Sequence, residues 1–231
     1  MGVIGIIGIS SPEIGRYTQF YSNLTKVARP DGTALAHVTG ACISSNRNKI
    51  VDQALENGAE WIWFIDDDHR FPPDTLTRLL SHNVDIVSGL YLQRVAPYIP
   101  HRYDREEANG ALWPKLLTQG ESGLDEVLST GAGCLLVRTS VFEKLERPYW
   151  RLGQIRSDVW SDDFDFCRRA RAAGFKIWCD LDVLVGHYVI HCVYPARNAE
   201  GHWSTRLVEG EVHIASFPAA TTVPVTGEHY L

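Results

Sequence analysis

Residues 61–68 read Trp61-Ile62-Trp63-Phe64-Ile65-Asp66-Asp67-Asp68, an apolar run that stops on three carboxylates. Its first five residues favour a buried strand. Adjacent acids repel one another, so something has to compensate them where the strand ends. At the C-terminal end of a buried strand the usual compensation is a divalent cation with a phosphate-bearing ligand. The surrounding chain alternates short apolar strands with amphipathic helices, which is the pattern of an α/β sheet.

The 231 residues are enough for one substantial core, and one domain is expected rather than two. No apolar span reaches 18 residues, so no transmembrane helix is predicted. The apolar start, Met1 to Ile7, lacks a basic leader and reads as a first strand rather than a signal peptide. A net charge of −6 gives no general attraction to nucleic acid. The five cysteines (Cys42, Cys134, Cys167, Cys179, Cys192) are odd in number and form no CxxC pair. They predict a reducing cytoplasm and no structural zinc.

Strands are expected at Val3 to Ile9, Trp61 to Ile65, Asp85 to Gly89, Gly131 to Val137 and Phe175 to Cys179. Ser44 or Ser45 can cap a helix with apolar positions Ile50, Val51, Ala54 and Leu55, which Gly58 ends. Pro72 and Pro73 mark another helix start, with Leu76, Leu79 and Leu80 as its buried face. A short helix is expected from Thr139 to Leu145, and a longer one from the cap Ser161 to about Ala173, stopped by Gly174. Residues 91–128 show no clear periodicity and read as a long excursion of the kind that carries substrate contacts.

Four groups of residues can carry chemistry. Asp66, Asp67 and Asp68 offer hard oxygen ligands suited to Mg2+ or Mn2+, without the spacing of an EF-hand. Asp162 and Asp163 follow Ser161; ordinary helix capping explains acids there, and a general base does so too. His187 follows an apolar strand, where it is either a structural residue or a metal ligand. Ser44-Ser45-Asn46-Arg47-Asn48 opens a helix, which favours an anion and also fits plain capping. Gly2, Gly5 and Gly8 are spaced by three within a strand, so they are not a dinucleotide-binding turn.

The order of these segments resembles the GT-A glycosyltransferases, especially those of the glycosyltransferase family 2 type. Asn46-Arg47-Asn48 looks like their nucleotide-side segment, and Ile65 to Asp74 like their D-x-D stretch and following helix. Thr130 to Val137 is similar to the glycine-led strand near the acceptor. Asp162 to Ala170 matches the helix written ED…FCRR, and Gly186-His187 the metal-binding GH. The resemblance spans about residues 3–190 and departs from the family at Asp162, where Glu is common.

It implies an α/β GT-A fold, a mixed central sheet flanked by helices. Residues 1–190 would be the catalytic domain, with 91–128 its acceptor-side excursion, and 191–231 a C-terminal extension packed on the same domain. Asp66, Asp68 and His187 would hold Mn2+ or Mg2+, with Asp68 the direct ligand. Ser10, Arg47, Asn48, Asp66 and Asp67 would bind the nucleotide-sugar donor, a UDP-sugar. Asp163 would be the catalytic base, supported by Asp162. Gly131, Gly133, Tyr91, Arg94 and Trp160 would line the acceptor site. The implied reaction moves a sugar to an acceptor hydroxyl with inversion; the acceptor itself is not readable. Two alternatives stay open. A nucleotidyltransferase acting on a sugar phosphate is disfavoured because Ile9 to Glu13 holds no Lys or Gly-rich cradle. A non-catalytic nucleotide-sugar-binding protein of the same fold is disfavoured by the intact Asp163 and His187.

Overall fold

The computed structural model describes residues 2–11, 18–40, 42–156, 159–189, 192–207 and 213–216. The chain opens with β1 (Gly5–Ser11), α1 (Thr18–Leu24), β2 (Thr33–Thr39), α2 (Ile43–Glu56) and β3 (Trp61–Asp66). A two-residue strand, β4 (His69–Arg70), precedes α3 (Thr75–Ser81) and β5 (Ile86–Leu90). Then come β6 (Arg102–Glu106), β7 (Leu112–Pro114), β8 (Leu124–Val127), β9 (Ser129–Thr130), β10 (Cys134–Arg138) and α4 (Thr139–Glu143). The rest is β11 (Gly153–Arg156), β12 (Val159–Ser161), α5 (Asp162–Ala172), β13 (Ile177–Leu184), β14 (Gly186–Tyr188), β15 (Cys192–Arg197), β16 (Trp203–Leu207) and β17 (His213–Ser216).

Seven strands form a mixed sheet in the order β2-β1-β3-β10-β5-β13-β8. β1 runs parallel to β2 and β3, and β5 parallel to β13, while β10 runs antiparallel between β3 and β5. Alternation along β3 sorts its side chains to the two faces. Ile62 and Phe64 pack with Ile50 and Val51 of α2, Phe142 of α4 and Phe166 of α5. Trp61, Trp63 and Ile65 pack on the other side with Phe20 of α1 and Leu76 of α3. The result is a sheet between two helical layers. Gly58 (φ +65°) and Gly174 (φ +92°) follow α2 and α5 in the left-handed region, as helix stops require.

Three expectations change. The N-cap of α2 is Cys42, which offers no side-chain bond, rather than Ser44 or Ser45. The Ser44 hydroxyl instead donates to Asp162, 3.0 Å away. The excursion 91–128 is not structureless: β6 pairs with β7 and β9, and β8 joins the edge of the main sheet. Its anchor is the fully buried Arg102, which donates to Glu121 at 2.5 Å, Asp125 at 2.8 Å and the carbonyls of Lys115 and Leu116. The strand expected at 175–179 continues as β13 to Leu184.

A second sheet, in the order β17-β16-β15-β14-β4, ties the described part of the C-terminal extension to the residues just after the aspartate triplet. Trp203 of β16 is buried in the core, with Arg197 stacked 4.2 Å over its ring. Among the described residues no helix is long and apolar enough to cross a membrane. Cys42, Cys134, Cys167 and Cys179 are free thiols.

Candidate active site

The site forms where parallel strands end and the antiparallel one begins. Ser10 of β1 lies beside Asp66 of β3 in register, and the Asp66 N–H donates to the Gly133 carbonyl at 3.0 Å, just before β10. β5 ends on the same edge and delivers Tyr91. A cavity of about 530 Å³ opens there, with the three aspartates, His187, Asp163 and Ser10 on its wall. Tyr91, Arg94 and Gly133 also line it. The chain thus brings together residues from six separate segments around the C-terminal ends of β1, β3 and β5, the placement expected of a ligand site in an open α/β sheet.

One arginine organises the acidic side. Arg47 of α2 is buried, and its Nη1 donates to Asp163 at 2.8 Å and Asp162 at 3.0 Å. Its Nη2 reaches both oxygens of Asp66, at 3.2 and 3.3 Å. The guanidinium lies 5.2 Å over the Trp150 ring, and Trp150 stacks on Phe166. Burial alone would lower the Arg47 pKa, but Asp66, Asp163 and Asp162 outweigh it and raise it. Burial pushes the Asp163 carboxyl up to about 7; Asp162 and Asp66 add to this and Arg47 opposes it. α5 aims these acids because Ser161 caps it, its Oγ accepting from the Phe164 N–H at 3.2 Å.

Asn48 lies outside the lining of this cavity. Its amide donates to the carbonyls of Ser44 and Trp150 and accepts from the Trp150 N–H, so it braces Trp150 beneath Arg47. Asp66 faces Arg47 and stands apart from the second group, which comprises Asp68, His69 and His187. Ligand atoms of these three buried residues lie within 4.8 Å of one another. His69 and His187 are register partners across β4 and β14, and their rings stack at 4.4 Å and 22°. Arg94 donates to Asp68 Oδ2 at 2.8 Å. Asp67 is buried on the cavity wall.

Gly131 and Gly133 are bare because rings lie against them. A Cβ at Gly131 would run into the Tyr91 hydroxyl, and one at Gly133 would sit 2.5 Å from His69 Cε1. The Gly133 N–H donates to Tyr91 Oη at 3.1 Å. Gly133→Ala is expected to cost about 1–3 kcal/mol through overpacking. Urea denaturation checks this, and an unchanged midpoint would mean the rings yield freely. The backbone of Trp160 lies in β12; its side chain is outside the described residues.

His69 lay within the sequence stretch quoted above but carried no assigned role. Its partner is 118 positions away, and only the pairing of two very short strands brings them together. His101 is a further, half-buried cavity residue, stacked on Tyr91 at 4.9 Å. Burial, then His187, His69 and Arg94, push its pKa down to about 3, so it is a neutral ring in the wall.

The architecture is a GT-A-like α/β fold, with a mixed sheet between helices. A197 from STIV shares it with a TM-score of 0.58 at 14% identity, over 80% of this chain and 85% of that one. TarS from S. aureus aligns with a TM-score of 0.46 at 15% identity, over 77% of this chain and 35% of that one. No family model matches the chain, and no curated protein does.

Proposed function

We propose that this chain is a glycosyltransferase that moves a sugar from a nucleotide-diphosphate sugar to an acceptor hydroxyl with inversion at the anomeric carbon. The observation that supports it is the single cavity carrying Asp66–Asp68, His187 and Asp163 at the strand ends. Asp68 and His187 would hold a divalent cation; Ser10 and Asp67 line the same wall and would face the donor. Their buried oxygen and nitrogen donors suit such an ion. When bound, the ion supplies Lewis-acid stabilisation of the charge that grows on the diphosphate.

The protein's own groups do the rest. Asp163 accepts the proton of the attacking hydroxyl, late enough that its modest basicity suffices. Arg47 fixes Asp163 in direction and balances its charge. Arg94, on Asp68 in the cavity lining, would face the acceptor. One displacement assisted by one carboxylate inverts the centre; a retained product by NMR would overturn that part.

The first test is calorimetric titration of UDP-sugars with and without Mn2+. Donor affinity is expected to depend on the metal and to fall in Asp68→Ala. Binding of no nucleotide sugar under either condition would sink the proposal.

The raised pKa of Asp163 fixes a pH dependence. As a base it must be ionised, so the transfer rate is expected to climb with pH and level off above about 7. Stability runs the other way. The folded state keeps the proton across the window between the ordinary carboxylate range and about 7, whereas the unfolded chain has lost it. This residue therefore subtracts stability as pH rises through that window. Melting curves of wild type and Asp163→Asn between pH 5 and 8 should converge at the acid end.

A further inference from the structure

The polar groups around Asp68 are incompletely satisfied. Both ring nitrogens of His69 are buried without a hydrogen-bond partner, and so is Asp68 Oδ1, although His69 Nδ1 lies 3.2 Å from it. A buried polar group left unmet costs about 1–3 kcal/mol. Tyr91 offers His69 only a ring contact, edge to face at 4.8 Å, and Gly133 offers no side chain.

The tautomer of His187 sharpens this. Its Nδ1 lies 2.8 Å from the Leu92 carbonyl, which can only accept, so Nδ1 carries the hydrogen. Its Nε2 then presents a lone pair 3.6 Å from Asp68 Oδ2. Two lone pairs facing each other in a buried site call for a cation. Arg94 answers only for Oδ2, and its half-exposed side chain can leave.

We propose that His69 completes a centre of two imidazoles and one carboxylate with Asp68 and His187, and that this centre selects a first-row transition dication over Mg2+. The proposal rests on the metal-assisted transfer reading for its purpose, though not for its measurement. Donors bound about 2.1 Å from one ion stand about 3–4 Å apart, and the spacings of 3.2 and 3.6 Å fall in that range. Imidazole nitrogen suits transition ions, whereas Mg2+ prefers an all-oxygen shell and keeps its waters. Across Mn2+ and Co2+, affinity at such a site rises in that order.

The test titrates Mn2+, Co2+ and Mg2+ into the whole chain by calorimetry, without nucleotide. Mn2+ and Co2+ are expected to bind about tenfold or more tightly than Mg2+. His69→Phe, which keeps a ring against Tyr91 and His187, should weaken both transition ions by about 10–100-fold, the loss that even an outer-shell partner causes. Mg2+ binding as tightly as Mn2+, or a variant with unchanged Co2+ affinity and absorption, would overturn the proposal. Should His69→Phe not fold, pulsed electron-spin measurements on the wild-type Mn2+ complex decide. Nitrogen couplings from two imidazoles support the centre, and one or none sinks it. A metal centre with these properties but no metal-dependent nucleotide-sugar binding would instead count against sugar transfer and leave the centre standing.

Discussion

Asp163→Asn is expected to lower transfer turnover by about 10²–10⁴-fold, the usual contribution of a positioned general base. Donor affinity should stay near wild type. The substitution is close to isosteric, and Asn can still accept the hydrogen bond that Arg47 Nη1 makes at 2.8 Å. What it removes is the ability to take a proton. The cap at Ser161 and the neighbouring Asp162, held by Ser44 and Arg47, do not depend on that charge, so the helix start should keep its geometry. Turnover and donor affinity therefore have to be measured on the same preparation. Loss of donor binding together with turnover would give Asp163 a donor role and leave the base unassigned.

Arg47→Met is expected to destabilise the fold by about 3–5 kcal/mol, the cost of stripping a partner from buried charge. One guanidinium, 3% exposed, serves three carboxylates from two distant segments. Without it Asp66, Asp162 and Asp163 face one another uncompensated. Lysine is a poor replacement, because a point charge cannot fork toward β3 and α5 at once. Urea unfolding at pH 7 measures the effect, and repeating it at pH 4 gives a signature. Protonation relieves the repulsion, so the difference from wild type should shrink on acidification. A loss below about 1 kcal/mol at pH 7, as for an exposed pair, would mean water already screens the cluster.

The sequence made the strands and helix stops of the core legible because these rest on local pattern. Trp61–Ile65 alternates between two cores, Gly58 and Gly174 sit at positive φ, and Ser161 caps its helix. What it hid depends on distant partners. Ser44 is spent on Asp162, so the N-cap of α2 falls to a residue with no capping bond. Arg102 draws the polar excursion inward, a charged anchor that no hydrophobic period announces. Arg47 stood out as a residue that meets an anion, but the anions it meets here are the chain's own aspartates. His69 was invisible as a ligand candidate because a two-residue strand has no periodicity to read.

Gly133 makes its part of the cavity floor backbone rather than side chain, and Gly131 lies against the same Tyr91 hydroxyl. A side chain at 131 or 133 meets Tyr91 or His69 at under 3.0 Å, so a ring has to shift before either position can tailor the cavity. The rim is different. Gln93, Arg94 and Val95 ride on a turn closed by the Gln93–Ile99 backbone bond, with Val95 exposed to solvent. In chains built this way, divergence of acceptor choice would collect in the rim while the floor stays invariant. Selection for a new substrate should therefore enrich changes at residues 93–95 and leave the glycines untouched.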